Sequence, residues 1–318
     1  MNKIIMSVLL LVLTLGMAQS LQAQPVRMGY LQNDLHHLPL WVAQDKGLFA
    51  ANGVEVEIAG VFRAGPEIMT AMAAGSLDMA YVGEAPATIA FARGGTARVV
   101  AQANTEGSAL MVSSKSTAVT VADLKGKTIA VPGNGAVQDF LIRRALKQAG
   151  VSAADTHIIT LAPPEMDKAL AAGQIDAFIA WQPYPARAMA TGTAKVLASS
   201  AQLWKGHPCC ALVATEAVST SREAAKVVQA HVQAIEYIRT HPEEAVAVAV
   251  QRTGMEEAVV RAALADVRYT AQPDVHGEEE YVRFLNEFGY IHTEAAADFT
   301  NKFIKADLLP ATNRDGVQ

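Results

Sequence analysis

The chain has 318 residues, 51% of them hydrophobic and 18% charged, which is enough to bury two cores and is unlike a disordered polypeptide. A net charge of −5 offers no basic face to nucleic acid, and no acidic run forms a tail. The two cysteines, Cys209 and Cys210, are adjacent and would bridge only through a strained ring, so crosslinks are not expected to hold the fold.

Residues 1–23 read as a secretory signal. Lys3 supplies the positive start, residues 4–15 the apolar middle, and Leu21-Gln22-Ala23 a cleavage site, with Gly16-Met17-Ala18 as its rival. The apolar middle is shorter than the ~20 residues of a spanning helix. A periplasmic mature chain beginning at Gln24 is therefore expected.

The mature chain opens on a strand at 26–30, followed by a polar loop at 31–37 and a helix whose first turn accepts Pro39. The helical pattern runs from 38 to the turn at Asn52-Gly53 and is followed by a strand at 54–58 and a helix starting near Pro66. Next comes Ala73-Ala74-Gly75-Ser76-Leu77-Asp78-Met79-Ala80-Tyr81-Val82, which spells helix stop, turn and buried strand, and leads into the loop Gly83-Glu84-Ala85-Pro86. Strand-like runs at 99–104 and 109–113 flank a first crossover at 105–108.

From Thr128 the pattern recurs. A strand at 128–131 precedes the loop Pro132-Gly133-Asn134-Gly135 and a helix from Ala136 with apolar positions at Val137, Leu141 and Leu146. A strand at 157–161 and a helix near Pro164 follow. The run Ala171-Ala172-Gly173-Gln174-Ile175-Asp176-Ala177-Phe178-Ile179 then echoes the earlier one and ends at Trp181-Gln182-Pro183-Tyr184. Another short strand at 196–198 precedes a return crossover at 207–214, and from Ser221 the pattern is helical throughout.

A repeat of roughly a hundred residues, with strands and helices alternating, predicts two α/β lobes, each a mostly parallel sheet flanked by helices, with a cleft between them. The expected division is 24–106 with 214–318 for lobe one and 107–213 for lobe two, the terminal helices packing back on lobe one.

Several of these stretches together resemble a known family. They are Leu38-Pro39-Leu40-Trp41 through Lys46-Gly47-Leu48-Phe49, Gly75-Ser76-Leu77-Asp78, Val82-Gly83-Glu84-Ala85-Pro86-Ala87, Leu124-Lys125-Gly126-Lys127 and Ile129-Ala130-Val131-Pro132-Gly133. In order and spacing they resemble the nitrate, sulfonate and taurine (NMT1/THI5-like) family of periplasmic solute-binding proteins. The resemblance implies a type II periplasmic-binding-protein architecture that closes on a small molecule and delivers it to an ABC permease and its ATPase. It further implies a monomer peripheral to the membrane, with no cofactor.

Ligands of parallel α/β sheets sit where helices begin, because the first backbone N–H groups there are free and carry partial positive charge. That places His37 and Leu38, Gly65 and Pro66, Glu84, Ala85 and Pro86, and Asn134, Gly135 and Ala136 at the expected cleft. Trp181 and Tyr184 supply an aromatic wall, Gln182 a neutral partner, and Cys209 a further lining residue. Micromolar binding needs about 8 kcal/mol and a helix terminus gives ~0.3 to 1, so direct hydrogen bonds and apolar contact must do most of the work.

Glu84 departs from the family pattern, which has a small or neutral residue at this position. A carboxylate about 4 Å from a bound anion opposes it by roughly 4 kcal/mol at an effective dielectric near 20. Glu84 therefore either points away or meets a cationic or N–H-bearing ligand, such as a thiamine-precursor pyrimidine. His36, His37, His207, Cys209 and Cys210 are zinc or copper ligand types, but their spacing matches no closed four-ligand pattern, and no metal is expected. No nucleophile, base and acid stand at catalytic spacing, so a binding protein is expected over a pyrimidine-forming enzyme of the same superfamily.

Overall fold

The computed structural model describes residues 24–293 and 295–310. The expected signal segment, 1–23, lies outside them. The first lobe opens with β1 (Val26–Leu31), a 3-10 turn, α1 (Leu38–Asp45) and α2 (Leu48–Ala51), the expected single helix being divided at Lys46-Gly47. It continues through β2 (Val56–Phe62), α3 (Gly65–Ala73), β3 (Met79–Gly83), α4 (Glu84–Ala92) and β4 (Ala97–Glu106).

Beyond Gly107 the chain enters a second sheet. It contributes β5 (Ser108–Ser113), β6 (Thr128–Val131), α5 (Val137–Gln148), β7 (His157–Thr160), α6 (Pro163–Ala171), β8 (Ala177–Trp181), α7 (Tyr184–Ala190), β9 (Ala194–Ser199) and α8 (Ser200–Leu203). β10 (Pro208–Thr215) returns to the first sheet. The rest is α9 (Arg222–Thr240), α10 (Pro242–Thr253), α11 (Glu257–Leu264), β11 (Val267–Tyr269), α12 (Val275–Glu287) and α13 (Ala296–Phe303).

The two sheets are built to one plan. The first has the order β11-β4-β10-β3-β1-β2 and the second β9-β5-β8-β6-β7. In each, three strands run parallel, β2-β1-β3 and β7-β6-β8, and the next two, β10 and β4 or β5 and β9, pair antiparallel. The antiparallel strands are those that the chain reaches on crossing between lobes, so both sheets are mixed.

The repeated Gly-x-x-Asp does one job twice. Asp78 accepts from the backbone N–H of Arg27 at 2.9 Å, and Asp176 accepts from that of Thr128 at 2.9 Å. The aspartate N–H donates back to the carbonyl of the same residue in both lobes, also at 2.9 Å. Each aspartate thereby ties the entry to the third parallel strand onto the entry to the first, satisfying polar groups at the sheet end.

One boundary differs from expectation. The return crossing lies in 200–207, not across 207–214, because Pro208–Thr215 is already a strand between β3 and β4 of the first sheet. The apolar run that suggested a connection is apolar because the strand is buried by neighbours on both sides. The terminal helices also do more than return to lobe one. Tyr281 on α12 packs its ring 4.3 Å from Phe140 on α5, and Arg144 pairs with Glu280 at 3.6 Å, so α12 bridges the lobes. Among the described residues no helix is long and apolar enough to cross a membrane.

Candidate functional site

Three helices of at least two turns start at one place. α3 begins after Ala64, α4 after Gly83 and α5 after Ala136, and none of these residues has a side chain that caps the helix. Serine, aspartate or asparagine at such a position would use up a first-turn N–H; alanine and glycine leave those donors for something else. Gly65, Gly83, Pro86 and Ala136 border one space between the lobes with Asp34, Trp181 and Cys210.

The lobes are closed on that space, which measures about 10 Å³, the room of roughly one water. A Cβ on Gly83 would come within 2.8 Å of Val137 on the opposite lobe. Cross-lobe bonds hold this form: the Leu35 N–H donates to the Gln182 carbonyl at 3.1 Å, and the Tyr290 hydroxyl lies 2.6 Å from Asn134 Oδ1. A wider apolar groove of about 520 Å³ runs along α3 and α4, meeting the cleft at Pro86. It is walled mainly by the flanks of α3 and α4, whereas Gly65, Gly83 and Ala136, at all three helix starts, border the interlobe space, which is the better candidate.

Of the residues expected at the cleft, Gly65, Pro86, Ala136 and Trp181 border it. The Trp181 indole N–H has no partner among the described residues and is a ready donor. Pro66, Asn134 and Gly135 lie on the adjoining groove. His37, Leu38 and Ala85 are fully buried and do not line the space. Tyr184 packs against Trp181 with ring centroids 6.1 Å apart, which supports the wall from behind.

Gln182 is hydrogen-bonded elsewhere at both ends. Its Oε1 accepts from Ala186 N–H at 3.2 Å and its Nε2 donates to Asp266 Oδ2 at 2.7 Å, so both ends are held within the protein, and it does not border the interlobe space. Glu84 turns into the interior, where Gln102 donates to it at 3.2 Å. Burial pushes its carboxyl up to about 8, and the neighbouring Glu278 is likewise raised well above the usual range. Burial and the Glu84 charge both disfavour ionisation of Glu278, so the pair retains a proton. An anion in the cleft therefore does not face a bare Glu84 carboxylate.

Behind the cleft lies a polar cluster that residue spacing did not reveal. Asp34, His36, His37, Gln102, Asn104, His207, Cys209 and Cys210 are all buried. His36 Nε2 donates to the Gly107 carbonyl at 2.8 Å, which leaves Nδ1 facing Cys209 Sγ at 3.5 Å and Cys210 Sγ at 3.6 Å. Burial opposes charge on both groups. The hydrogen bond from Cys210 and the His36 charge nevertheless pull the Cys209 thiol well below its usual range, and Asp34 and Cys209 hold His36 up to about 9. Cys209 itself is shut off from the interlobe space, and Cys210 borders it instead. Asp266, Gln102 and Glu278 carried no sequence signal, since single polar residues in helical or strand patterns read as solvated faces.

Gly107 is the node of this arrangement. Its carbonyl accepts from both His36 and the Gln182 N–H, the latter at 2.9 Å. Its φ of +85° suits glycine, and a Cβ there would fall 2.3 Å from His36 Nε2.

The NMT1-like family model matches residues 19–253. The chain belongs to the NMT1-like family. A Brucella abortus (strain 2308) chain provisionally named a binding protein is 33% identical to this family member over 232 residues, covering 70% of this chain and 69% of the other. An Escherichia coli (strain K12) chain provisionally named an aliphatic sulfonates-binding protein is 30% identical over 204 residues, 63% of each. Among solved structures, the periplasmic nitrate-binding protein NrtA of Synechocystis PCC 6803 superposes with a TM-score of 0.79 at 16% identity, covering 89% of this chain and 86% of that one. The last shows the fold of this NMT1-like chain, a periplasmic-binding-protein fold.

Proposed function

We propose that this NMT1-like chain is the extracytoplasmic solute-binding component of an ABC importer, which captures a small sulfonate, taurine or nitrate-like anion by cleft closure and hands it to a permease and its ATPase. The observation that carries this reading is the convergence of three uncapped helix starts, at Gly65, Glu84 and Val137, on one interlobe space. Their N–H groups and partial charges suit an anionic oxygen cluster, and Trp181 adds a donor and an apolar face. The sulfonate and nitrate names of its relatives support the same class. A closed form made by contacts from both lobes is what a ligand bridging them would select. The reading is of a binder, not an enzyme.

A polar nitrogenous ligand, such as a thiamine-precursor pyrimidine, is the second reading. Asp34 on the cleft border favours it, because a carboxyl there can pair with ring N–H groups. A thermal-shift screen of the mature chain across alkanesulfonates, taurine, nitrate and aminopyrimidines separates the two. A ligand at a hundredfold excess over its dissociation constant adds about 2.7 kcal/mol of stability. Stabilisation by pyrimidines alone would sink the anion reading.

A further inference from the structure

We propose that His36, Cys209 and Cys210, completed by Asp34, form a binding site for a thiophilic d10 cation, Zn2+ in the first instance, at the floor of the interlobe cleft. Ligand atoms of His36, Cys209 and Cys210 all lie within 4.8 Å of one another, and all of these residues are buried. The donor set of one imidazole, two thiols and a carboxylate is one that zinc accepts.

The separations from His36 Nδ1 fit a tetrahedral ion. Ligand bonds of about 2.0–2.1 Å to nitrogen and about 2.3 Å to sulfur place a nitrogen and a sulfur roughly 3.6 Å apart, and a nitrogen and a carboxylate oxygen roughly 3.4 Å apart. His36 Nδ1 lies 3.5 Å from Cys209 Sγ, 3.6 Å from Cys210 Sγ and 3.3 Å from Asp34 Oδ1. Adjacent residues on a regular strand point to opposite faces. Here the register of β10 against β4 slips on both sides of Cys210, and this bulge lets both sulfurs reach one nitrogen.

The surroundings hold the donors as an ion needs them. The Nε2 bond of His36 to the Gly107 carbonyl fixes the ring so that Nδ1 faces inward, the usual outer support of a metal-binding histidine. His37 takes the Leu31 N–H on Nδ1 at 3.2 Å, so its Nε2 carries the proton and points at Asp34 Oδ2, 3.7 Å away. His37 thus positions Asp34 and does not itself ligate. Asp34 Oδ1 also accepts from the His36 backbone N–H at 2.9 Å, which fixes the carboxylate beside the imidazole. Asp34 and the two thiolates would place three negative charges in a buried site, and a divalent ion taking the place of the cluster's protons offsets two of them. Asp34 and Cys210 border the cleft, so opening of the lobes gives the ion its entry path. The site takes no ligand from the helix starts that serve an anion, and it shares Asp34 with the nitrogenous reading.

The test is competition for Zn2+ between the reduced, metal-free mature chain and a chromophoric chelator, beside the Cys209→Ser/Cys210→Ser double variant and His36→Gln. The expected result is one Zn2+ per chain, held at least a hundredfold more tightly by the wild type than by either variant. Co2+ in place of Zn2+ should give thiolate-to-metal charge transfer and tetrahedral d–d bands. Should the variants fail to fold, the wild-type Co2+ spectrum and metal protection of both thiols from alkylation decide alone. Wild-type protein that leaves Zn2+ with the chelator, or a Co2+ adduct without thiolate bands, overturns the proposal. Sulfonate titrations of metal-free protein keep this outcome separate from that for the solute.

Discussion

Gln182, at the end of the third parallel strand of the second sheet, donates through Nε2 to Asp266 Oδ2 at 2.7 Å, and Asp266 stands at the entry to β11 on the edge of the first sheet. This bond links the lobes next to the cleft wall, and its acceptor is a carboxyl oxygen. It is therefore a latch of the closed form, and hydrogen bonds of this kind are worth about 1.5–3 kcal/mol.

Gln182→Ala removes the latch together with the Oε1 bond to the Ala186 N–H in α7. The solute should bind about tenfold more weakly, and the radius of gyration of the ligand-free chain in solution scattering should rise. Unchanged affinity and scattering would show that the bond does not bias closure.

Gly83 has an ordinary extended backbone, φ −61° and ψ 146°, which alanine adopts without strain. The new methyl would meet Val137 Cγ2 at 2.8 Å across the cleft. Gly83→Ala should leave the melting temperature within a few degrees of wild type yet weaken solute binding at least tenfold, because it wedges the lobes apart. Paired with Val137→Ala it should recover much of the loss, and isothermal titration of the three variants checks this.

The Glu84–Glu278 pair sets a slope of stability with pH. Burial raises the Glu84 carboxyl to about 8, so between its unfolded value near 4.5 and about 8 the native state holds the extra proton. Stability from this pair is complete below about pH 4.5 and is lost as pH rises towards 8. Glu278→Gln keeps a donor beside Glu84 and removes the shared acid. It should stabilise the chain by about 1–2 kcal/mol at pH 8 and flatten the slope, as read from urea unfolding at several pH values.

His231 works in the opposite sense. Its Nε2 donates to the Gln102 carbonyl at 2.7 Å and its Nδ1 accepts from the Tyr81 hydroxyl at 2.8 Å, so the buried ring is neutral. Burial lowers it to about 4, against 6.5 unfolded. Stability is complete above about pH 6.5 and falls as pH drops towards 4, by at most about 1.4 kcal/mol per unit. His231→Gln should lower stability at neutral pH while removing this acid-limb slope. A variant whose acid limb is as steep as wild type would show that other groups set it.

The architecture was readable from the chain alone because a repeated pattern carries its own geometry. Gly75 with Asp78 and Gly173 with Asp176 marked the same helix stop and the same strand entry, and the two aspartates make the same backbone bonds in both sheets. The helix starts at Gly65, Glu84 and Val137 were equally legible, since Gly and Pro punctuate the loops before them. Those are local features, set by neighbours within a few residues.

What faces those helix starts is not local. Asp34 and His36 meet Cys209 and Cys210, Glu84 meets Glu278, and Gln182 meets Asp266, only because segments distant in the chain are brought together around the first sheet, between α4 and α12, and across the closed lobes. The bulge that turns both sulfurs to one side depends on pairing with β4, a hundred residues earlier. Periodicity fixes which face of an element is buried. The partner a buried polar group finds there is decided by packing, where leaving it unpaired costs more than any propensity contributes.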